Sequence, residues 1–179
     1  MRKQVGFTLI ELMVVLVIAG IIAATAMPSM QAFIQNNRIK SQMFDLLNAV
    51  NVARIEAVKR RTTVSLCRSD DNTDLTPTCG GTANTWTTGW LVFEDDDEDG
   101  VYDSTDDTII LKGGEAGSGV AVMATSNTLI YQTDGSVNTI TRFAICDDRG
   151  ENFGRQIDVM RVGRANIKQA PISDCDTPT

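Results

Sequence analysis

Residues 6–28 read GFTLIELMVVLVIAGIIAATAMP, and a single charge, Glu11, interrupts the apolar run. Phe7 to Met27 is 21 residues, enough to cross a bilayer at ~20 residues per helical span. Arg2 and Lys3 precede the run, which keeps the N-terminus cytoplasmic and exports the remainder. An ionised carboxylate in hydrocarbon costs at least ~2.5–3.5 kcal/mol on insertion scales, so Glu11 demands a reason. Ala24-Thr25-Ala26 also offers an A-x-A signal-peptidase site, which would make everything before Met27 a discarded signal. Glu11 argues against that reading, because it would weaken a signal's apolar core for no benefit.

The chain of 179 residues suits one ordinary domain plus an anchor. A net charge of -7 disfavours general nucleic-acid binding, while leaving room for a local basic patch. The absence of histidine excludes Ser-His-Asp and Cys-His nucleophiles, a His general base and every His-containing metal site. With no nucleophile set beside a base, the chain is not expected to be an enzyme. Cys67, Cys79, Cys146 and Cys175 all lie beyond the apolar run. In an exported domain they read as disulfides, with three connectivities open. The local pairs, Cys67 with Cys79 and Cys146 with Cys175, are favoured, each worth ~2–4 kcal/mol if unstrained. A four-thiolate zinc site is the rival, but it lacks any Cys-x-x-Cys spacing.

After Pro28 the pattern turns amphipathic. Ile39, Met43, Leu46, Val50, Ala53 and Ala57 alternate spacings of four and three, one helical stripe. This predicts one helix over 7–61, bent at Pro28, where a ring without an N–H disturbs the ladder. Lys59, Arg60 and Arg61 suit its C-terminus, where cations offset the helix dipole. Strands are expected over 62–66, 86–93, 108–112, 119–124, 128–132, 138–145 and 156–162; if 164–168 is also a strand, paired about Gly163, the cations near the C-terminus share one edge. The fold class is therefore α+β, a long N-terminal helix packed on a C-terminal antiparallel β-sheet domain.

Gly6-Phe7-Thr8-Leu9-Ile10-Glu11 resembles the class III signal of type IV pilins and type II secretion pseudopilins. ARIEAVKRRTTVSLC (53–67) and TGWLVFEDDDEDGVYDSTDDTIIL (88–111) are similar to the GspH/FimT branch of minor pilins and pseudopilins. The resemblance implies a prepilin peptidase that cuts after Gly6 and methylates Phe7. It makes Glu11 an assembly residue, compensated by a free N-terminal amine of its own or a neighbouring subunit. It also implies four segments: a leader (1–6), a transmembrane and filament-core helix (7–28), an amphipathic helix (29–61) and a periplasmic or extracellular β-domain (62–179). Implied partners are other major and minor pilins or pseudopilins, the inner-membrane assembly platform, the peptidase and, before assembly, membrane lipid. The location would be the bacterial inner membrane, single-pass, and then a pilus or pseudopilus. The implied function is that of a minor pilin priming or capping a type IV pilus. The alternatives are a DNA-binding minor pilin for natural transformation and a tip pseudopilin of type II secretion. No cofactor is required.

Two constellations bear on ligands. Between Glu94 and Asp107 there are nine acids and no base. Asp95, Asp97, Asp99 and Gly100 match the opening D-x-D-x-D-G of a calcium loop, with Val101 offering a carbonyl and Asp103 and Asp106 at its ninth and twelfth positions. Calcium is the candidate ion, and a solvated acidic turn is the alternative. Near the C-terminus, Arg155, Arg161, Arg164 and Lys168 face one acid, Asp158, and guanidinium groups suit phosphate. Arg161, Arg164 and Lys168 are the candidate DNA contacts. Some FimT-type pilins take up DNA through a Gly-Arg-x-Arg motif. This chain keeps Gly163 and Arg164 and has Asn166 where the second arginine belongs. In Trp86-Thr87-Thr88-Gly89-Trp90, one tryptophan is expected in the core and the other covering the sheet.

Overall fold

The computed structural model describes residues 8–70, 77–80 and 84–176. The expected leader and Phe7 lie outside them. Helix α1 spans Leu9–Arg60. Its start follows from Thr8, whose hydroxyl accepts the Glu11 N–H at 3.3 Å and so satisfies one orphan amide of the first turn. The helix runs through Pro28 without a break. On either side, the hydroxyls of Thr25 and Ser29 fold back onto the carbonyls of Ile21, Ile22 and Ala26, local bonds typical of hydroxyl side chains within helices. At the other end Arg61 adopts φ 58°, and its N–H reaches the Ala57 carbonyl at 2.9 Å, closing the helix in the left-handed manner. Glu56 gathers Lys59 and Arg60, and Arg60 also bridges to Glu94 at 2.9 Å. The basic cluster serves the helix end.

The chain forms two compact units, residues 1–37 and 38–179. The division falls just before Ile39, where helix burial begins. In the second unit Ile39, Gln42, Met43, Leu46, Ala49, Val50, Ala53 and Ala57 are buried. This is the expected stripe, widened by Gln42 and Ala49.

Among the described residues eight strands follow: β1 (Val64–Arg68), β2 (Trp90–Glu94), β3 (Thr108–Gly113), β4 (Val120–Ala124), β5 (Thr128–Tyr131), β6 (Thr141–Asp147), β7 (Arg155–Val159) and β8 (Ala165–Gln169). They build two four-stranded sheets, in the orders β3-β2-β1-β5 and β4-β6-β7-β8. Every pairing is antiparallel. One core joins the helix stripe to Val64, Leu66 and Val92 of the first sheet and Val122, Phe143, Ile145, Ile157 and Val159 of the second.

Of the segment expected as a strand over 86–93, residues 90–93 lie in β2, while 86–89 form a crossover leading into it. Asn84 and Trp86 lie along β4, with Ala124 N–H donating to Asn84 and Trp86 N–H donating to Val122, both at 2.7 Å. Gly89, at φ 123°, then lets the chain enter β2. Both tryptophans are buried, which corrects the expectation that one covers the sheet. Trp86 stands edge-on to Phe143 at 5.0 Å and donates to the Ser126 carbonyl at 2.9 Å. Trp90 lies over Gly113, where a Cβ would come within 2.1 Å of the ring.

The outer face of each sheet is covered by a segment that a disulfide holds down. Cys67 pairs with Cys79, beside Leu91, Phe93 and Tyr102 on the first sheet. Cys146 pairs with Cys175, beside Ala144 and Ile172 on the second. The joint substitution Cys146→Ala, Cys175→Ala should cost ~2–4 kcal/mol. In limited proteolysis of the full-length protein in detergent, cleavage should begin in the C-terminal segment.

Gly163 turns β7 into β8 at φ 75°, and a Cβ there would fall 1.7 Å from the Gly135 carbonyl oxygen. Gly163→Ala should therefore destabilise the protein by at least ~2 kcal/mol through overpacking and backbone strain. Arg164→Ala beside it should stay within ~0.5 kcal/mol. Urea denaturation of both variants checks the contrast.

Candidate functional site: the apolar helix half and the charged loops

In the first unit the described apolar side chains of the helix are exposed. Leu9, Ile10, Leu12, Met13, Val14, Val15, and on to Ile22, Met27 and Phe33, are all exposed, Leu9 by 78%. The segment is long and apolar enough to cross a membrane, and none of its 18-residue apolar window is buried. Area on this scale is stable only against lipid or other apolar helices, at ~25 cal/mol per Å² covered. Glu11 stands in its first turn. No lysine or arginine among the described residues forms an ion pair with its carboxylate. A cation from another molecule, or an N-terminal amine, is the chemistry that would let this carboxylate enter an apolar environment. Gly6 and Phe7, the residues expected to be processed, lie outside the described residues.

The acidic loop between β2 and β3 is ordered by its own carboxylates. Asp95 is wholly buried. Its N–H donates to the Thr63 carbonyl at 3.0 Å, and its Oδ2 accepts from the Ser65 hydroxyl and from the Gly100 N–H. Burial pushes its carboxyl pKa upward, the charges of Asp107 and Asp99 push the same way, and the bonds from Ser65 and Gly100 oppose them. Asp97 accepts from the Asp99 N–H and Asp99 from the Val101 N–H. Carboxylate oxygens of Asp95, Asp97 and Asp99 all lie within 4.8 Å of one another.

The other two candidate ligands do not join them. Asp103 accepts from the N–H and hydroxyl of Thr105, bonds that hold its carboxyl below the ordinary value. Asp106 is also outside the group. The reason is that the second half of the loop turns on itself, with Asp107 accepting from the N–H groups of Asp96 and Asp103.

The C-terminal cations divide between two faces. In the β7–β8 ladder Arg155 opposes Gln169, Gln156 opposes Lys168, and Asp158 opposes Asn166. Alternation along a strand places Arg155 on the other face from Lys168. Arg155 donates to the carbonyls of Phe153 and Gly154. Arg161 and Arg164 flank Gly163, and both are exposed, as is Lys168. Asp158 is engaged by Gln156 and, at 3.8 Å, by Arg142.

Sequence reasoning missed the residues that fix this turn. Arg54 donates from α1 to the carbonyls of Gly135 and Val162, at 3.2 and 3.3 Å, and the Tyr131 hydroxyl donates to the Gly163 carbonyl at 3.3 Å. It also missed a groove between α1 and β8 lined by Lys40, Met43, Phe44, Arg155, Ile167 and Gln169. No local pattern reveals either, since the partners lie many residues apart along the chain.

These features match known proteins. A family model described as "Type II transport protein GspH" matches residues 44–163. A second, described as "Prokaryotic N-terminal methylation motif", matches residues 1–27. Fimbrial protein Q of Moraxella bovis is 38% identical over 86 residues, 46% of this chain and 54% of that protein. A probable minor fimbrial protein of Dichelobacter nodosus is 37% identical over 75 residues, 42% of this chain and 40% of that one. The chain thus spans about half the length of the curated relatives it matches. In fold it is similar to the type IV minor pilin FimU of Pseudomonas aeruginosa, with a TM-score of 0.59 and 21% identity over 80% of this chain and 98% of that one. The chain belongs to the GspH family of pilin and pseudopilin proteins and carries its N-terminal methylation motif.

Proposed function

We propose that the protein is a minor pilin of a type IV pilus, built into the filament through its N-terminal helix and helping to prime or cap assembly. The observation that carries this reading is the contrast along α1. Its C-terminal part is core, while the apolar side chains from Leu9 to Phe33 are exposed, with one carboxylate, Glu11, among them. Before assembly the membrane covers that surface, with the N-terminus cytoplasmic and the β-domain periplasmic. In the filament, neighbouring helices cover it. Cleavage after Gly6 and methylation of Phe7 leave a mature amine near Glu11. A neighbouring subunit's amine paired with this carboxylate would set the axial register of the incoming helix.

The fimbrial names of the relatives support a pilus over secretion, whereas the description of the family model points toward type II transport. Mechanically the two readings share the helix and differ in the machine.

In the native host, wild-type protein should appear in sheared filaments, and Glu11→Ala should accumulate in the inner membrane and be absent from them. Deletion of the gene should reduce piliation and leave protein export intact. Loss of export with normal piliation would replace this reading with the pseudopilin one.

A DNA-receptor role would rest on Arg161, Arg164 and Lys168, exposed cations with no ion pair among the described residues. The pilus-assembly reading needs no such contact. It predicts no DNA retention by the full-length protein at physiological salt. Salt-dependent binding lost in an Arg161→Ala, Arg164→Ala, Lys168→Ala variant, with a log–log salt slope changing by about 0.9 per lost phosphate contact, would instead make the domain a DNA receptor.

A further inference from the structure

We propose that the loop between β2 and β3 binds one calcium ion through Asp95, Asp97 and Asp99, a site independent of the filament-forming helix. Two separate observations lead there. The first is convergence: three carboxylates present oxygens that all lie within 4.8 Å of one another. Ligands at about 2.3–2.6 Å from one calcium can be no more than about 5 Å apart, so these three are close enough to share an ion.

The second observation is an orphaned atom. Asp95 is wholly buried; its Oδ2 takes the Ser65 and Gly100 hydrogen bonds, and its Oδ1 has no hydrogen-bond partner. A buried carboxylate oxygen left unpaired is costly, and a hard cation is the partner that satisfies it while cancelling the repulsion of Asp97 and Asp99. No lysine or arginine among the described residues bridges to any of the three.

Calcium fits this donor set better than magnesium. It accepts six to eight oxygens in irregular geometry and takes backbone carbonyls and water readily, whereas magnesium demands a near-ideal octahedron. Val101, two residues beyond Asp99, is the candidate carbonyl ligand. With three protein carboxylates and the remaining positions left to carbonyl and water, affinity belongs in the range of extracellular modules, ~10⁻⁴–10⁻³ M.

The ion would stiffen the cover over the outer face of the first sheet. Thr63 is tied to this loop through Asp95 and through Glu98. The Gly100 carbonyl accepts from Thr128 at 3.3 Å, and the Tyr102 N–H approaches Cys79 Sγ at 3.2 Å. Holding the loop therefore fixes the β1 entry, the start of β5 and the Cys67–Cys79 staple together.

The test is calcium binding by the full-length protein in detergent, by equilibrium dialysis up to about 10 mM CaCl₂, with thermal melts alongside and sodium chloride at matched ionic strength as control. Asp97→Ser with Asp99→Ser removes two charges while leaving hydroxyls that can keep the local turn hydrogen bonds. The expected result is one calcium per wild-type chain, a melting temperature raised by calcium beyond the salt control, and loss of both in the variant. No saturable binding by the wild type overturns the proposal, even if the variant does not fold. Equal binding by wild type and variant, or a thermal shift reproduced by sodium chloride, also overturns it.

Discussion

The structure depends on the burial of one face of α1 between Ile39 and Ala57. Ala49, Ala53 and Ala57 are fully enclosed there, and such small side chains let a backbone lie close to the strands it packs against. Both sheets deliver residues to the same core, so helix and sheets are stable only together. At ~25 cal/mol per Å², this shared burial is the main force opposing the entropy of ordering eight short strands. Everything else in the second unit is arranged around it.

The same helix is left uncovered before Ile39. No change of secondary structure separates the two regimes; what changes is the sidedness of the sequence. A stripe with polar flanks can be completed within one chain, whereas a run that is apolar on every side cannot. The N-terminal part of α1 is therefore a surface whose partner must come from outside the chain. Glu11 is the one charge between Leu9 and Asn37, and a carboxylate in such a place makes contact with a cation worth more than it would be in water.

Covering the sheets' outer faces posed a different problem, because the described residues include no second helix to lay over them. It uses two irregular segments, each pinned by a disulfide near the strand it protects. The acidic loop belongs to the first of these covers, and its carboxylates take over many of the amide hydrogen bonds that a loop would otherwise leave to water. A solvated turn needs none of its acids buried. Asp95 is buried nevertheless, held by Ser65 on the neighbouring strand.

The amino-acid sequence alone determined the long helix, its buried stripe, the position of most strands and the α+β class, because these rest on local periodicity: 3.6 residues per turn in α1, alternation and β-branching in the strands. It also contained the processing motif and the lone Glu11, both legible within short windows, and it favoured the local cysteine pairs without excluding the other two connectivities. Only the tertiary structure decided that the strands divide into two sheets, since Trp86 and Trp90 look alike in sequence but attach to different ones. Only it separated Asp95, Asp97 and Asp99 from Asp103 and Asp106, whose spacing alone suggests a common site. The same holds for Arg155, parted from Lys168 by the pleat of the ladder, and for Gly163, whose necessity comes from a carbonyl on another loop. For the sheets and for Gly163 the deciding contacts join residues far apart in the chain, and no local pattern encodes which distant atoms will meet; in the acidic loop they are short-range bonds, such as Thr105 to Asp103 and Asp96 to Asp107, that residue spacing alone does not specify.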